Sequence, residues 1–328
     1  VRSHLHGNIL LSFLDRTAMI SPDSLDSPAA PHSPSPIASP GDGALSARPS
    51  VRLGTSGEAA PAEVPALFVS HGSPMFALEP GATGPALRAW ADGLRARFPA
   101  LRGTVVMSPH WMARGVQVMA GPRPATWHDF GGFPEPLYAL RYPAAGSPGL
   151  AAEVLAELHK AGIPAQGDAQ RPFDHGAWVP LMHLFPQADL PVVQVALPAG
   201  AGPREVYALG AALRGLRAQN VLVVGSGSMT HNLSEFFGGA GGAQPYVAEF
   251  ARWIEAALQR GDTEALLDYR SRAPHAVRAH PGDDHFLPLF FALGAAGEGA
   301  VAHYLSREVM HGSLAMDSFA LAPVSDAA

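Results

Sequence analysis

From about residue 63 onward, short apolar runs alternate with longer stretches whose apolar residues recur every three or four positions. The short runs Ala66–Val69, Thr104–Met107, Pro191–Leu197 and Val221–Val224 are apolar almost throughout, as strands buried on both faces are. Val116–Met119 reads as a further short strand. Between them, Pro85–Arg97 predicts a helix that ends near Pro99. Leu150, Val154 and Leu158 mark a second helical face, and Val206, Leu209, Leu213 and Leu216 a third. Phe250, Trp253, Ile254, Ala257 and Leu258 mark a fourth. Strands alternating with helices predict an α/β domain with a mostly parallel central sheet covered by helices. That domain is expected over residues 63–322, with a short tail at 323–328.

The preceding segment has a different composition. Residues 21–62 are dominated by Pro, Ser, Ala and Gly, with repeated Ser-Pro steps. Such a segment buries too little apolar surface to offset its ordering entropy, so residues 1–62 read as a disordered Pro/Ser/Ala-rich extension. The apolar run Asn8–Leu14 is met at once by Asp15 and Arg16, far short of the roughly 20 residues a membrane helix needs. It also lacks a small-residue cleavage site, so neither a membrane partner nor a secretory signal is expected.

Composition narrows the chemistry. The chain has 328 residues, 47% of them hydrophobic and 15% charged, which suits a well-cored protein. A net charge of -6 without a basic stripe excludes nucleic acid as an expected partner. Cysteine is absent. That removes disulfides, thiolate ligands and thiol nucleophiles together, and it fits a reducing cytoplasm. Any metal must be held by nitrogen and oxygen, so the 15 histidines become the residues to sort.

Three of them follow predicted strands. His71 lies in Ser70-His71-Gly72-Ser73-Pro74, His110 in Ser108-Pro109-His110-Trp111, and His231 in Gly225-Ser226-Gly227-Ser228-Met229-Thr230-His231-Asn232. In open α/β sheets, ligands bind outside the carboxyl ends of the strands, so three imidazoles brought to that rim predict a metal site. His285 is a fourth candidate, in the first turn of a helix capped by Asp283 or Asp284, with His280 as its nearest competitor. His175, in Phe173-Asp174-His175-Gly176, either contacts substrate or is simply oriented by Asp174. His159, His183, His303 and His311 read as structural, and His4, His6 and His32 belong to the extension.

These segments together resemble one family. His71-Gly72-Ser73-Pro74, Ser108-Pro109-His110-Trp111, His128-Asp129-Phe130-Gly131-Gly132-Phe133-Pro134 and Asp174-His175-Gly176 are followed by Gly225-Ser226-Gly227 running to His231-Asn232-Leu233, and by His280-Pro281 running to His285. Six such motifs in order, from about Val64 to Leu321, resemble the class III extradiol ring-cleavage dioxygenases, specifically the 4,5-DOPA dioxygenase extradiol group. The resemblance implies a single three-layer α/β/α domain and one divalent, non-haem metal per chain on His71, His110 and His285. His231 is then a fourth ligand or the acid/base. The wider superfamily uses two histidines and a carboxylate on Fe(II), whereas His285 stands here where the carboxylate would be. Three neutral imidazoles suit Zn(II) as well as Fe(II).

By the same resemblance, a small aromatic diol and O2 are the partners and a ring-opened semialdehyde is the product. His231 is the expected proton carrier and His175 the second choice. Trp127, His128, Phe130, Phe133 and Tyr138 would form a wall against the substrate ring. Two rivals follow from the same histidines: a zinc-dependent hydrolase using a metal-activated water, and a non-catalytic metal-binding relative of the fold. The sequence leaves a homo-oligomer open.

Overall fold

The computed structural model describes residues 63–237, 242 and 244–323. The expected extension over 1–62 lies outside them, as does the tail beyond Pro323. Among the described residues there are ten strands: β1 (Ala66–Ser70), β2 (Gly103–Ala113), β3 (Val116–Met119), β4 (Ala165–Asp168), β5 (Val192–Pro198), β6 (Val221–Gly227), β7 (Ala300–Ser306), β8 (Val309–Met310), β9 (Leu314–Ala315) and β10 (Ser318–Pro323). The first five helices are α1 (Thr83–Arg97), α2 (Glu135–Ala139), α3 (Pro148–Lys160), α4 (His175–Leu184) and α5 (Pro203–Ala212). Six more follow: α6 (Leu233–Phe237), α7 (Pro245–Gln259), α8 (Thr263–Leu267), α9 (Tyr269–Arg272), α10 (Ala276–Ala279) and α11 (Pro288–Ala296).

Eight strands form one sheet in the order β4-β3-β5-β2-β6-β1-β10-β7. The central run β5-β2-β6-β1 is parallel throughout, while β10 pairs antiparallel with both β1 and β7. Alternation along the central strands separates two cores. Ala66, Phe68, Val105, Val193 and Val223 pack beneath α3, α5, α7 and α11, whereas Leu67, Val69, Val106, Leu222 and Val224 pack beneath α1 and α4. Helices cover both faces, which is why these strands read as unbroken apolar runs. The fold is the expected three-layer α/β/α arrangement. Among the described residues, no helix is long and apolar enough to cross a membrane.

Three local expectations are corrected. The helical spacing through Leu213 and Leu216 continues past α5 only as a 3-10 segment, Arg214–Gln219, ended by Asn220 in the left-handed region. The second strand does not stop at Met107 but runs to Ala113, so His110 lies within a strand and not after one. Its pairing with β5 shifts register between Ser108 and Met112, where Ser108 faces Ala196 and Met112 faces Leu197. The residues between bulge out of the ladder, which Pro109 favours because it has no N–H to give. Arg171 supports the bulge by donating to the His110 carbonyl at 3.2 Å while lying over the Trp111 ring. Finally, neither Asp283 nor Asp284 caps a helix at His285. Asp283 accepts from Tyr269 and Arg270, Asp284 faces the His285 ring, and α11 begins only at Pro288.

Two glycines let that last segment approach the sheet. A Cβ on Gly225 would collide with the Pro288 carbonyl oxygen, and one on Gly227 with the His285 carbonyl oxygen. The Ser228 N–H donates to that His285 carbonyl at 2.8 Å, which fixes the segment to the end of β6. Gly225→Ala should therefore destabilise the protein by about 1–3 kcal/mol through overpacking. Thermal unfolding would show this as a drop of roughly 2–4 °C in Tm per kcal/mol lost.

Candidate metal centre

The strand order brings the histidines together. In the sheet, β6 lies between β2 and β1, and Ser70 is level with Gly227. His71 follows directly, its N–H donating to the Gly227 carbonyl at 2.9 Å. Gly72 then adopts φ +60, turning the chain away so that the imidazole stays over the strand ends. The β2 bulge carries His110 to the same place, and the segment before α11 delivers His285.

The Nε2 atoms of these three rings converge. His110 Nε2 lies 3.2 Å from His71 Nε2 and 3.3 Å from His285 Nε2. Their outer nitrogens show which tautomers are present. Ser226 donates its hydroxyl proton to the Gly176 carbonyl, so its oxygen accepts from His71 Nδ1–H at 3.0 Å. The Asp284 carboxylate accepts from His285 Nδ1–H at 2.7 Å. On both rings the Nε2 lone pair therefore points inward, bare and buried. The His110 Nδ1 edge faces Asp129 at 3.7 Å.

Proton binding does not relieve this crowding. Burial, followed by the charges of neighbouring imidazoles, holds His71 and His110 well below the usual histidine range. Three converging Nε2 atoms, two of them bare, are a donor set suited to a divalent cation. The same three residues form a group able to hold a metal ion, and His110, Asp129 and His175 form a second, overlapping one.

His231 stands beside the triad. Its ring stacks on His285 with centroids 3.5 Å apart and 4° between the planes. Burial first, then the charge of His285, lowers its pKa to about 2. His175 opens α4, with its ring 3.9 Å from that of His110 between centroids. It is not oriented by Asp174. That carboxylate caps α4 and accepts from Arg171 and Gln194, whereas Asp129 accepts from His175 Nδ1–H at 3.0 Å and from the His175 N–H at 2.9 Å. Burial pushes the Asp129 pKa up, but the bonds from His175 outweigh it and the carboxyl stays below its ordinary value.

A cavity of about 250 Å³ opens onto the cluster, lined by His110, His175, His231 and His285 and walled by Phe130 and Phe133. Leu233, Phe236 and Leu314 complete the wall, and sequence reasoning had not singled them out. Their one signal was sequence proximity, since Leu233 follows His231 by two positions. His128 and Tyr138 do not line this cavity. His128 bonds through Nε2 to the Leu140 carbonyl, and Tyr138 packs behind Phe130. Trp127 is 42% exposed and lies under the Arg171 guanidinium. His280 is buried and spends Nε2 on the Met229 carbonyl, while His159 and His183 likewise bond to backbone carbonyls. Asp129, Ser226 and Asp284 were missed as partners because nothing in their local sequence shows which imidazole they meet.

The chain is similar to known proteins. Residues 65–316 match the family described as the catalytic LigB subunit of aromatic ring-opening dioxygenase. The chain is 36% identical over 254 residues to a 4,5-DOPA dioxygenase extradiol of Beta vulgaris, covering 77% of this chain and 94% of that protein. It is 37% identical over 237 residues to the protein of the same name from Escherichia coli (strain K12), covering 71% of this chain and 85% of that one. A crystal structure of an uncharacterized Escherichia coli K12 protein superposes with a TM-score of 0.65 at 30% identity, covering 78% of this chain and 99% of that one. Family match, fold and sequence identity agree, and the chain belongs to the LigB family of aromatic ring-opening dioxygenases.

Proposed function

We propose that this protein is an extradiol dioxygenase that opens a catechol ring with O2 to give a semialdehyde, using one divalent metal held by His71, His110 and His285. The observation that carries this reading is the convergence of the Nε2 atoms of His71, His110 and His285, with the Nδ1 protons of His71 and His285 directed outward. Bound there, a divalent metal supplies a Lewis acid for the catechol oxygens and, as Fe(II), an electron path between ring and dioxygen.

The chain's own residues supply the rest. Phe130 and Phe133 present apolar surface to the substrate ring and keep bulk water from it. His231 enters the reaction neutral, because burial and the neighbouring imidazoles disfavour its protonated form. An anionic catecholate bound beside it raises its affinity for a proton, so His231 accepts the proton that the second hydroxyl gives up. His175, anchored through Nδ1 to Asp129, turns its other nitrogen to the cavity as a second hydrogen-bonding group. Asp129 faces both His175 and His110 and thus sets the orientation of both rings.

Anaerobic reconstitution with Fe(II), followed by a catechol and oxygen, should give a yellow ring-opened product. His71→Ala and His285→Ala should lose the metal, read by elemental analysis. His231→Ala should keep it while turnover falls about 10²–10⁴-fold, as loss of a general base does. Metal loss in His231→Ala would make His231 a ligand. Activity on esters with Zn(II) but none on catechols with Fe(II) would replace ring opening by hydrolysis.

Asp129→Asn should keep the fold but weaken metal binding roughly 10–100-fold, the usual cost of a lost ligand-orienting carboxylate. Competition with a chromogenic chelator measures this directly. The histidines also set an acid limit. His71, His110 and His231 have folded pKa values below the unfolded value of about 6.5, so below that pH the unfolded chain binds more protons. Stability of the metal-free protein is intact above about pH 6.5 and should fall as pH drops, by up to about 1.4 kcal/mol per pH unit for each ring. Denaturant midpoints measured from pH 7.5 to 5 would show it.

A further inference from the structure

One buried polar group joins the segments that carry the histidines. Gln194 is the one polar residue in the run Val192–Leu197. Strand alternation puts it on the face of β5 shared by Val192 and Ala196, which packs beneath α4. It is fully buried, as is Asp174. Gln194 Nε2 donates to Asp174 Oδ2, which also accepts from Arg171 at 2.8 Å. Asp174 Oδ1 accepts from the Ala177 N–H at 3.2 Å and so caps α4. Gln194 Oε1 and Arg171 Nε find no partner among the described residues.

Stability does not account for this group. Taking a carboxylate, a guanidinium and an amide out of water can cost more than their pairing returns unless every polar atom is satisfied, and two of these atoms are not. An apolar residue at position 194 would simply continue the strand around it. What the group does fix is the first turn of α4, which touches the centre at three points. Its first residue is His175. The carbonyl of the second, Gly176, accepts from Ser226 Oγ, the atom that receives the His71 Nδ1 proton. The same glycine lies against the β2 bulge, where a Cβ would collide with Ser108 Oγ and crowd His110 Cδ2. Arg171 closes the circuit, because the nitrogen that bonds to Asp174 also donates to the His110 carbonyl. A shift of this turn would therefore move the outer partner of His71, the ring of His175 and the packing behind His110 together.

We propose that Gln194, Asp174 and Arg171 are positioning residues for the metal centre, holding the first turn of α4 so that His71, His110 and His175 keep their relative geometry; this rests on the ligand set proposed above. Co(II) is the probe, because its visible absorption follows ligand geometry and its affinity can be titrated without turnover. Gln194→Met and Arg171→Met each remove one arm of the group while keeping an unbranched side chain. Val154→Ala, in the buried core under α3, is the control for lost stability alone. Thermal scans of the metal-free proteins set each variant's loss of stability beside that control, and binding is measured where all are folded. Gln194→Met and Arg171→Met should shift the Co(II) spectrum and weaken Co(II) binding about tenfold, the low end of the cost of losing a partner behind the ligands. Val154→Ala should change neither. If one of the two fails to fold, the other decides. An unaltered spectrum and affinity in Gln194→Met and Arg171→Met overturns the positioning role and leaves the ligand set standing, as does an equal change in Val154→Ala. An unaltered protein that binds no Co(II) overturns both.

Discussion

Everything at this site depends on holding three imidazole Nε2 atoms close together at the end of the sheet. The closest are 3.2 and 3.3 Å apart, and those of His71 and His285 are bare lone pairs. The arrangement persists because protons occupy the opposite side of the rings. Ser226 and Asp284 each receive one from an outer nitrogen, and Asp129 faces the third ring. On His71 and His285 this outward hydrogen bonding fixes tautomer and orientation together, which leaves their inner nitrogens free of protons.

Those partners also change how the family's ligand set is understood. In the ligand set we propose, His285 stands where the resemblance leads one to expect a carboxylate, and Asp284 bonds to the far side of that ring. The negative charge moves one imidazole further away. Burial pushes the Asp284 pKa up, but the bond from His285 and its charge bring the value down to about 2, so the carboxylate stays ionised across the working range. Asp129 repeats the device between His110 and His175. The three proposed donors thus have two carboxylates beside them that would moderate the charge of a bound dication.

The backbone makes this geometry affordable in space. Placing His285 over the end of β6 requires the segment before α11 to touch the strand, and only the missing side chains of Gly225 and Gly227 allow it. Bringing His110 over β6 requires the β2 bulge, which Pro109 permits and Arg171 supports through the His110 carbonyl. The first turn of α4 carries His175 to the remaining side. Four separate chain segments therefore converge where β2, β6 and β1 end, so the centre is rigid wherever the sheet is rigid.

Much of this was legible in the sequence. Apolar runs such as Val221–Val224 and the periodicity of residues such as Leu150, Val154 and Leu158 determined the layers, because burial on both faces of a parallel sheet leaves a pattern that local residues carry. The order of histidine motifs likewise indicated the family and the set of residues to inspect. Which partner each imidazole meets was not legible. Asp174 adjoins His175 in sequence, yet Asp129, 46 residues away, orients that ring. Asp283 and Asp284 resemble helix caps, yet one meets Tyr269 and Arg270 and the other the His285 ring. His110 was placed after a strand because a bulge has no periodicity of its own. Hydrogen-bond partners and tautomers depend on the packing of distant segments, and strand adjacency decides that packing: the sequence alone determined the layers and the candidate donors, and only the tertiary structure decided which nitrogen of each ring faces the metal.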